Sequence, residues 1–180
     1  MAGALLQAGL AFADTAALRV AQGVLDTVLA WAYLPRQGAK HLTAGVGVPL
    51  LLQDQVELAD ACLAAARVTA DSRYRRIAED LVAVVEREFA DPTGGYFDAA
   101  GADTVTPGPG ERTKQVLDDG LPGANAAAAR LLLELGQATH EPRYRQRAEA
   151  TLEAFAGLIP AAGLRGATYL RAARAVLWPR

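Results

Sequence analysis

The sequence predicts an all-α protein, a toroid segment of about three helical hairpins. Three observations carry that expectation: an alanine-rich apolar composition, apolar residues at helical spacing, and a two-helix unit that repeats. Residues AVILMFWYC make up 52 % of the 180. Alanine inflates that share, and alanine is the best helix former, so the excess points to closely packed helices. A chain of this length is expected to form one domain with a real core.

The repeat shows when VTADSRYRRIAE, residues 68–79, is set against ATHEPRYRQRAE, residues 138–149. The offset is 70 residues throughout. Thr69, Arg73, Tyr74, Arg75, Ala78 and Glu79 recur as Thr139, Arg143, Tyr144, Arg145, Ala148 and Glu149, and Asp71 recurs as Glu141. A fainter copy covers residues 13–21. The unit is an inner helix, a tight turn, an outer helix and a long connector. Two-helix repeats build either solenoids or closed toroids. This unit exceeds the usual solenoid repeat of roughly 34 to 47 residues, and the surplus lies in the connectors. Short turns at one end and long loops at the other fit an α/α toroid, whose loops gather around one mouth.

Each element has its own local warrant. The first hairpin spans residues 2–33. It has a short apolar helix over 2–13, expected to be buried, and Asp14-Thr15 as the N-cap of a second helix carrying Leu18, Leu25, Val28 and Leu29. Pro35, Gly38, Gly45, Gly47 and Pro49 mark a connector over 34–49. The second hairpin spans 50–90. Leu52, Val56, Ala59, Leu63 and Ala66 form the apolar stripe of its first helix, 50–68. Asp71 caps the next helix, 72–89, which is expected to bury Tyr74, Ile77, Leu81 and Val85. A second connector covers 91–122. Tyr96-Phe97 predicts a short strand with a partner near 104–106, hence a small β-hairpin within 95–106. A loop this long is usually functional or packed over a site. The third hairpin spans 123–158. Between Asn125 and Gln137 only Arg130 and Glu134 are charged, so its first helix reads as buried nearly all round. Pro142 suits the first turn of its partner. A last helix covers 167–177.

Charge and cysteine content narrow the function classes. The net charge of −2 gives no electrostatic case for nucleic acid or an acidic membrane. The N-terminal apolar run lacks the basic flank of a secretory signal and is shorter than the roughly 20 residues a bilayer needs. A cytoplasmic location is therefore expected. Cys62 is the only cysteine. It cannot form an internal disulfide or a C-x-x-C pair, and it reads as a small core residue. No ligand set for a metal is present, and no cofactor is indicated. Pro107-Gly108-Pro109-Gly110 does not follow a strand and open a helix in the phosphate-loop manner.

Three stretches resemble one family when taken together and in order. LLQDQVELADACLAAARVTAD (51–71) is similar to its recurring L-x-D-Q/Y-A … L-x-A-x-x-x-T-x-D helix pair. DPTGGYFDA (91–99) is similar to its G-G-Y/F-F-D turn. RTKQVLDDGLPGAN (112–125) is similar to its R-x-K-x-x-x-D-x-x-x-P-S-x-N stretch. The family is the thioredoxin-domain-containing proteins of the spermatogenesis-associated type. The resemblance covers residues 50–180 well and the earlier ones less. It implies part of a C-terminal (α/α)6 toroid, similar to six-hairpin glycosidases and N-acylglucosamine 2-epimerases. About seven helices are expected here where a complete ring has twelve, and the family usually continues past the position of Trp178. The thioredoxin-like domain is absent, and without C-x-x-C the redox activity in the family's name does not carry over. Pro122-Gly123-Ala124-Asn125 lacks the serine of P-S-x-N.

Candidate residues follow from motif and position. Asp118 and Asp119 precede the buried helix. They read either as carboxylates at the mouth, acting as acid, base or hydroxyl acceptor, or as capping and helix-dipole groups. Asp54 and Gln55 match the family's D-Q pair, and Gln55 stands 70 residues before Asn125. These two amides either bind sugar hydroxyls or anchor connectors. Arg112 and Lys114 either bind an anionic or polyol ligand or pair with Asp118 and Asp119. The related epimerases use histidines for proton transfer. Of the two histidines, His140 falls in a tight turn, and His41, in a connector, is the candidate acid/base. Two functions compete: a segment of a carbohydrate-binding or carbohydrate-transforming toroid of epimerase, isomerase or hydrolase type, with a sugar ligand; or a non-catalytic helical module completing a ring or homo-oligomer with a partner chain.

Overall fold

The computed structural model describes residues 2–41, 50–101 and 112–178. Its described residues form seven α-helices, one two-stranded hairpin and two short 3₁₀ segments. The chain folds as two compact units, Met1–Val84 and Val85–Arg180.

The first unit opens with α1 (Ala2–Ala11) and α2 (Thr15–Ala32). The Asp14 carboxylate accepts the N–H groups of Ala16 and Ala17 at 2.9 and 3.0 Å, the expected N-cap. The expectation of a buried first helix needs correction. Only Leu6 and Gly9 of α1 are buried, whereas Leu10 and, just beyond the helix, Phe12 are exposed. A short hairpin follows, β1 (Tyr33–Leu34) antiparallel to β2 (Gly38–Ala39). It occupies the start of the expected first connector. Next comes α3 (Leu52–Thr69), buried at every residue over 58–65, with α1 packed on both α2 and α3. Cys62 is fully buried there, and burial pushes its thiol up to about 12, which keeps it protonated and inert. Ala70 closes α3 in the left-handed region, and Asp71 accepts the Arg73 N–H at 2.8 Å at the start of α4 (Ser72–Glu88). Tyr74, Leu81 and Val85 of α4 are buried as expected, and Ile77 is half-buried. Arg73 and the Tyr74 hydroxyl both donate to Asp26 of α2.

The last residues of α4 belong to the second unit. After the connector comes α5 (Ala124–Thr139), buried throughout 124–129 and again at Leu131, Leu132, Leu133 and Leu135. His140 closes α5 in the same left-handed conformation as Ala70, 70 residues earlier. Then follow α6 (Pro142–Phe155), two 3₁₀ segments (Ala156–Ala161 and Gly163–Gly166) and α7 (Ala167–Leu177). Both α6 and α7 pack on α5. The expected strand at Tyr96 pairs with Ala90 through a single antiparallel bridge. Its expected partner over 104–106 lies outside the described residues, as do 42–49 and the 107–110 turn.

Candidate functional site

The start of α3 and the connector before it form one built site. Gln55, in the first turns of α3, is fully buried. Its carbonyl oxygen accepts the Ala39 N–H at 2.7 Å, and its amide donates to the Ala39 carbonyl at 2.7 Å and to the Leu51 carbonyl at 3.1 Å. The side chain thus supplies both bonds of a ladder rung to β2. Gly38 sits beside it at φ +95°, and a Cβ there would meet the Gln55 oxygen at 2.6 Å. Only glycine suits that backbone and that space.

Two residues past Ala39 comes His41. Its Nδ1 lies 2.9 Å from Oδ2 of Asp54, in the first turn of α3. The side chains remain 45 % and 28 % exposed. Where the Asp54 carboxylate accepts, Nδ1 carries the hydrogen, and Nε2 has no partner among the described residues. Two of the candidate residues, one catalytic and one ligand-binding, therefore form a single pair.

The start of α5 is built on the same plan. Asn125 is fully buried. Its oxygen accepts the Tyr96 N–H at 2.7 Å, and its nitrogen donates to the carbonyls of Tyr96 at 2.9 Å and Gln115 at 3.1 Å. Both amides are thus spent on connector backbone, the second of the two readings open for them.

The remaining candidates separate. Asp118 accepts the Gly123 N–H at 2.9 Å through Oδ1 and the Thr168 N–H, at the start of α7, at 3.0 Å through Oδ2. Burial alone would raise its pKa. The bonds from Gly123 and Thr168 outweigh that and hold it below the ordinary carboxylate range. It is an ionised structural cap, unsuited to act as a general acid. Asp119 is exposed, and its backbone N–H donates to Leu121.

The expected pairing of Arg112 and Lys114 with Asp118 and Asp119 is not formed. Arg112 lies 3.8 Å over the Phe97 ring and donates to the Ala99 carbonyl at 2.9 Å. Lys114 binds Asp91 at 2.6 Å and the Gly94 carbonyl at 2.7 Å. The Lys114 bond, with help from the Thr93 N–H, draws the Asp91 carboxyl down to about 2. These cations staple their own connector, Arg112 reaching 13 residues back to Ala99 and Lys114 reaching 20 residues back to Gly94.

Sequence reasoning missed one cluster. Tyr96 is buried, and its hydroxyl donates to Glu86 while accepting from Arg147 at 3.1 Å. Arg147 also pairs with Glu86 at 3.0 Å. Burial and the Glu86 charge raise the tyrosine pKa, so the phenol stays neutral. Arg147 lies 61 and 51 residues from Glu86 and Tyr96, and nothing local in the sequence marks the three as partners. Among the described residues no group of three His, Cys, Asp or Glu could hold a metal. No described helix is long and apolar enough to cross a membrane.

No family profile matches the chain, and no curated protein matches it. Solved structures do. A GH76 α-mannanase from Bacteroides thetaiotaomicron superposes with a TM-score of 0.68 at 22 % identity over 85 % of this chain. Cellobiose 2-epimerase from Spirochaeta thermophila superposes with a TM-score of 0.60 at 19 % identity over 84 %. Both are (α/α)6 toroids, and the fold of this chain is a partial one. The chain spans 41 % and 40 % of their lengths, about two fifths of each.

Proposed function

We propose that this chain is a segment of a carbohydrate-acting (α/α)6 toroid, with His41 and Asp54 as its proton-transfer pair. The observation that carries the reading is the 2.9 Å contact between His41 Nδ1 and Asp54 Oδ2, made by an imidazole that is 45 % exposed. The fold supports the choice of substrate class, since both similar structures are sugar-acting enzymes by name. Proton transfer fits the described groups better than glycoside hydrolysis. Hydrolysis needs two carboxyl groups facing one bond, one of them protonated, and Asp118 is held ionised by backbone donors. Nε2 would take the proton from the carbon beside the carbonyl of an open-chain sugar, giving an imidazolium held by Asp54. It would then return that proton to carbon.

The finer family reading, membership among the spermatogenesis-associated thioredoxin-domain proteins, rests on Asp54-Gln55, the Gly94-Gly95-Tyr96-Phe97 turn and Asn125. It belongs to the same proposal.

Incubation with reducing mono- and disaccharides in deuterium oxide tests the activity. The protein is expected to incorporate deuterium beside the sugar carbonyl, read by NMR. His41→Ala and Asp54→Asn are expected to lose that exchange while stability stays within about 0.5 kcal/mol, since both side chains are partly exposed. A folded sample that exchanges no sugar and gains no thermal stability from any of them would sink the reading. A second reading, a non-catalytic module completing a ring or oligomer, is favoured by large exposed apolar residues on α2 and around α7, with none among the described residues of α3 to α6.

A further inference from the structure

The β1–β2 hairpin leads straight into His41, and little of its own holds it in shape. Each strand is two residues long, with Tyr33 opposite Ala39 and Leu34 opposite Gly38. A two-stranded hairpin of that size is marginally stable at best by itself. Its turn carries a further burden. Arg36 sits at φ +63°, a left-handed conformation that residues other than glycine rarely adopt. The hairpin therefore depends on the helices it rests against.

On one side Gln55 of α3 grips Ala39. On the other lies α4. A Cβ added to Gly38 would meet Val84 Cγ1 at 3.1 Å. One turn earlier on the same helix, Asp80 Oδ2 accepts both the Tyr33 hydroxyl at 2.7 Å and the Arg36 backbone N–H at 2.8 Å. One carboxylate oxygen thus ties the first strand to the turn, and ties both to α4. The arginine one turn before it, Arg76, donates to Ser72 at 2.9 Å instead. The charge-assisted bonds of Asp80 go to the hairpin.

The path from this anchor to His41 is continuous. The Lys40 N–H donates to the Ala32 carbonyl at 3.0 Å, which carries the hairpin register one pair further, to the residue before His41. The His41 side chain is 45 % exposed and bonds to Asp54. Packing does little to fix a ring so exposed. Its place beside Asp54 is set by where the backbone delivers it.

We propose that Asp80 is a positioning residue for His41: by pinning Tyr33 and Arg36 to α4 it fixes the hairpin whose second strand delivers the imidazole to Asp54. The catalytic consequence rests on the reading of His41 and Asp54 as the proton-transfer pair, whereas the placement of the ring is measurable without any substrate.

Nitrogen-15 NMR of the neutral His41 ring in the whole chain tests this, with the signals assigned through His41→Ala. In the unaltered protein Nδ1 is expected to carry the hydrogen, which Asp54 accepts. Asp80→Ala is expected to lower the Nδ1–H share towards that of Asp54→Ala. It is also expected to slow the sugar exchange by about tenfold or more, with KM moving less. Asp80→Asn keeps an acceptor oxygen of the same shape and is expected to recover most of both. Tyr33→Phe removes one of the two bonds and is expected to shift the ring less, in the same direction; it decides alone if Asp80→Ala does not fold. A His41 ring unchanged in these variants, with only Tm lowered, would overturn the proposal. So would an unaltered protein whose ring carries its hydrogen on Nε2. A protein that exchanges no sugar removes the activity, and the ring measurement still decides the role of Asp80.

Discussion

The starts of α3 and α5 are two copies of one device with different contents. In both, a fully buried amide, Gln55 or Asn125, grips the N–H and C=O of one connector residue. The residue before the amide differs. Asp54 is partly exposed and holds His41, whereas Ala124 is 2 % exposed. The repeat keeps the mechanical part and varies the chemical part. A contact present in both copies is explained by holding the loop. The pair present in one copy is left over after that explanation, which is the reason to assign chemistry to His41 and Asp54 rather than to the amides.

The most severe way to break the comparison is to write the first copy into the second. Ala124→Asp would bury a carboxylate without a cation and is expected to cost about 3 kcal/mol or more in urea denaturation. A cost below about 1 kcal/mol would mean that position 124 tolerates charge and that the two starts differ less than their burial implies. Next come the amides. Gln55→Ala and Asn125→Ala each leave buried backbone groups unpaired, with an expected loss of roughly 2–4 kcal/mol apiece. Values differing by more than about 1.5 kcal/mol would show that the two anchors are not equivalent.

The smallest effect is expected from Asp118, which belongs to the second unit alone. Its folded-state pKa lies below its unfolded value of about 3.9. Its stabilisation is therefore present above that value and is lost as pH falls through the lower, folded one. Asp118→Asn is expected to flatten this part of the acid limb, measured as unfolding free energy against pH. An unchanged acid limb would remove Asp118 from the groups that stabilise the unit.

Local signals made the helices legible. Asp14 and Asp71 read as caps and act as caps, and the run after Asn125 read as buried nearly all round. The 70-residue offset made Gln55 and Asn125 equivalent before either had a visible partner. What each amide holds was not legible, because Tyr96 lies 29 residues from Asn125 and no spacing rule joins them. The same holds for Asp118 and Thr168, 50 residues apart, and for the Tyr96, Glu86 and Arg147 cluster. The hairpin at Tyr33–Leu34 and Gly38–Ala39 escaped notice for another reason. Strands of two residues are too short to show alternation, and Gly38 read only as connector punctuation.

The amide clamp also bears on how such a protein can change over time. Gln55 and Asn125 bond to main-chain atoms, which every residue except proline supplies in full. Apart from Gly38 and Gly95, where an added Cβ would press on the amide oxygen, the segments they hold can therefore exchange side chains without loosening the attachment. A duplicated hairpin built this way keeps its foundation while its loop tip explores new chemistry, so the two copies can diverge in what they do long before they diverge in how they fold.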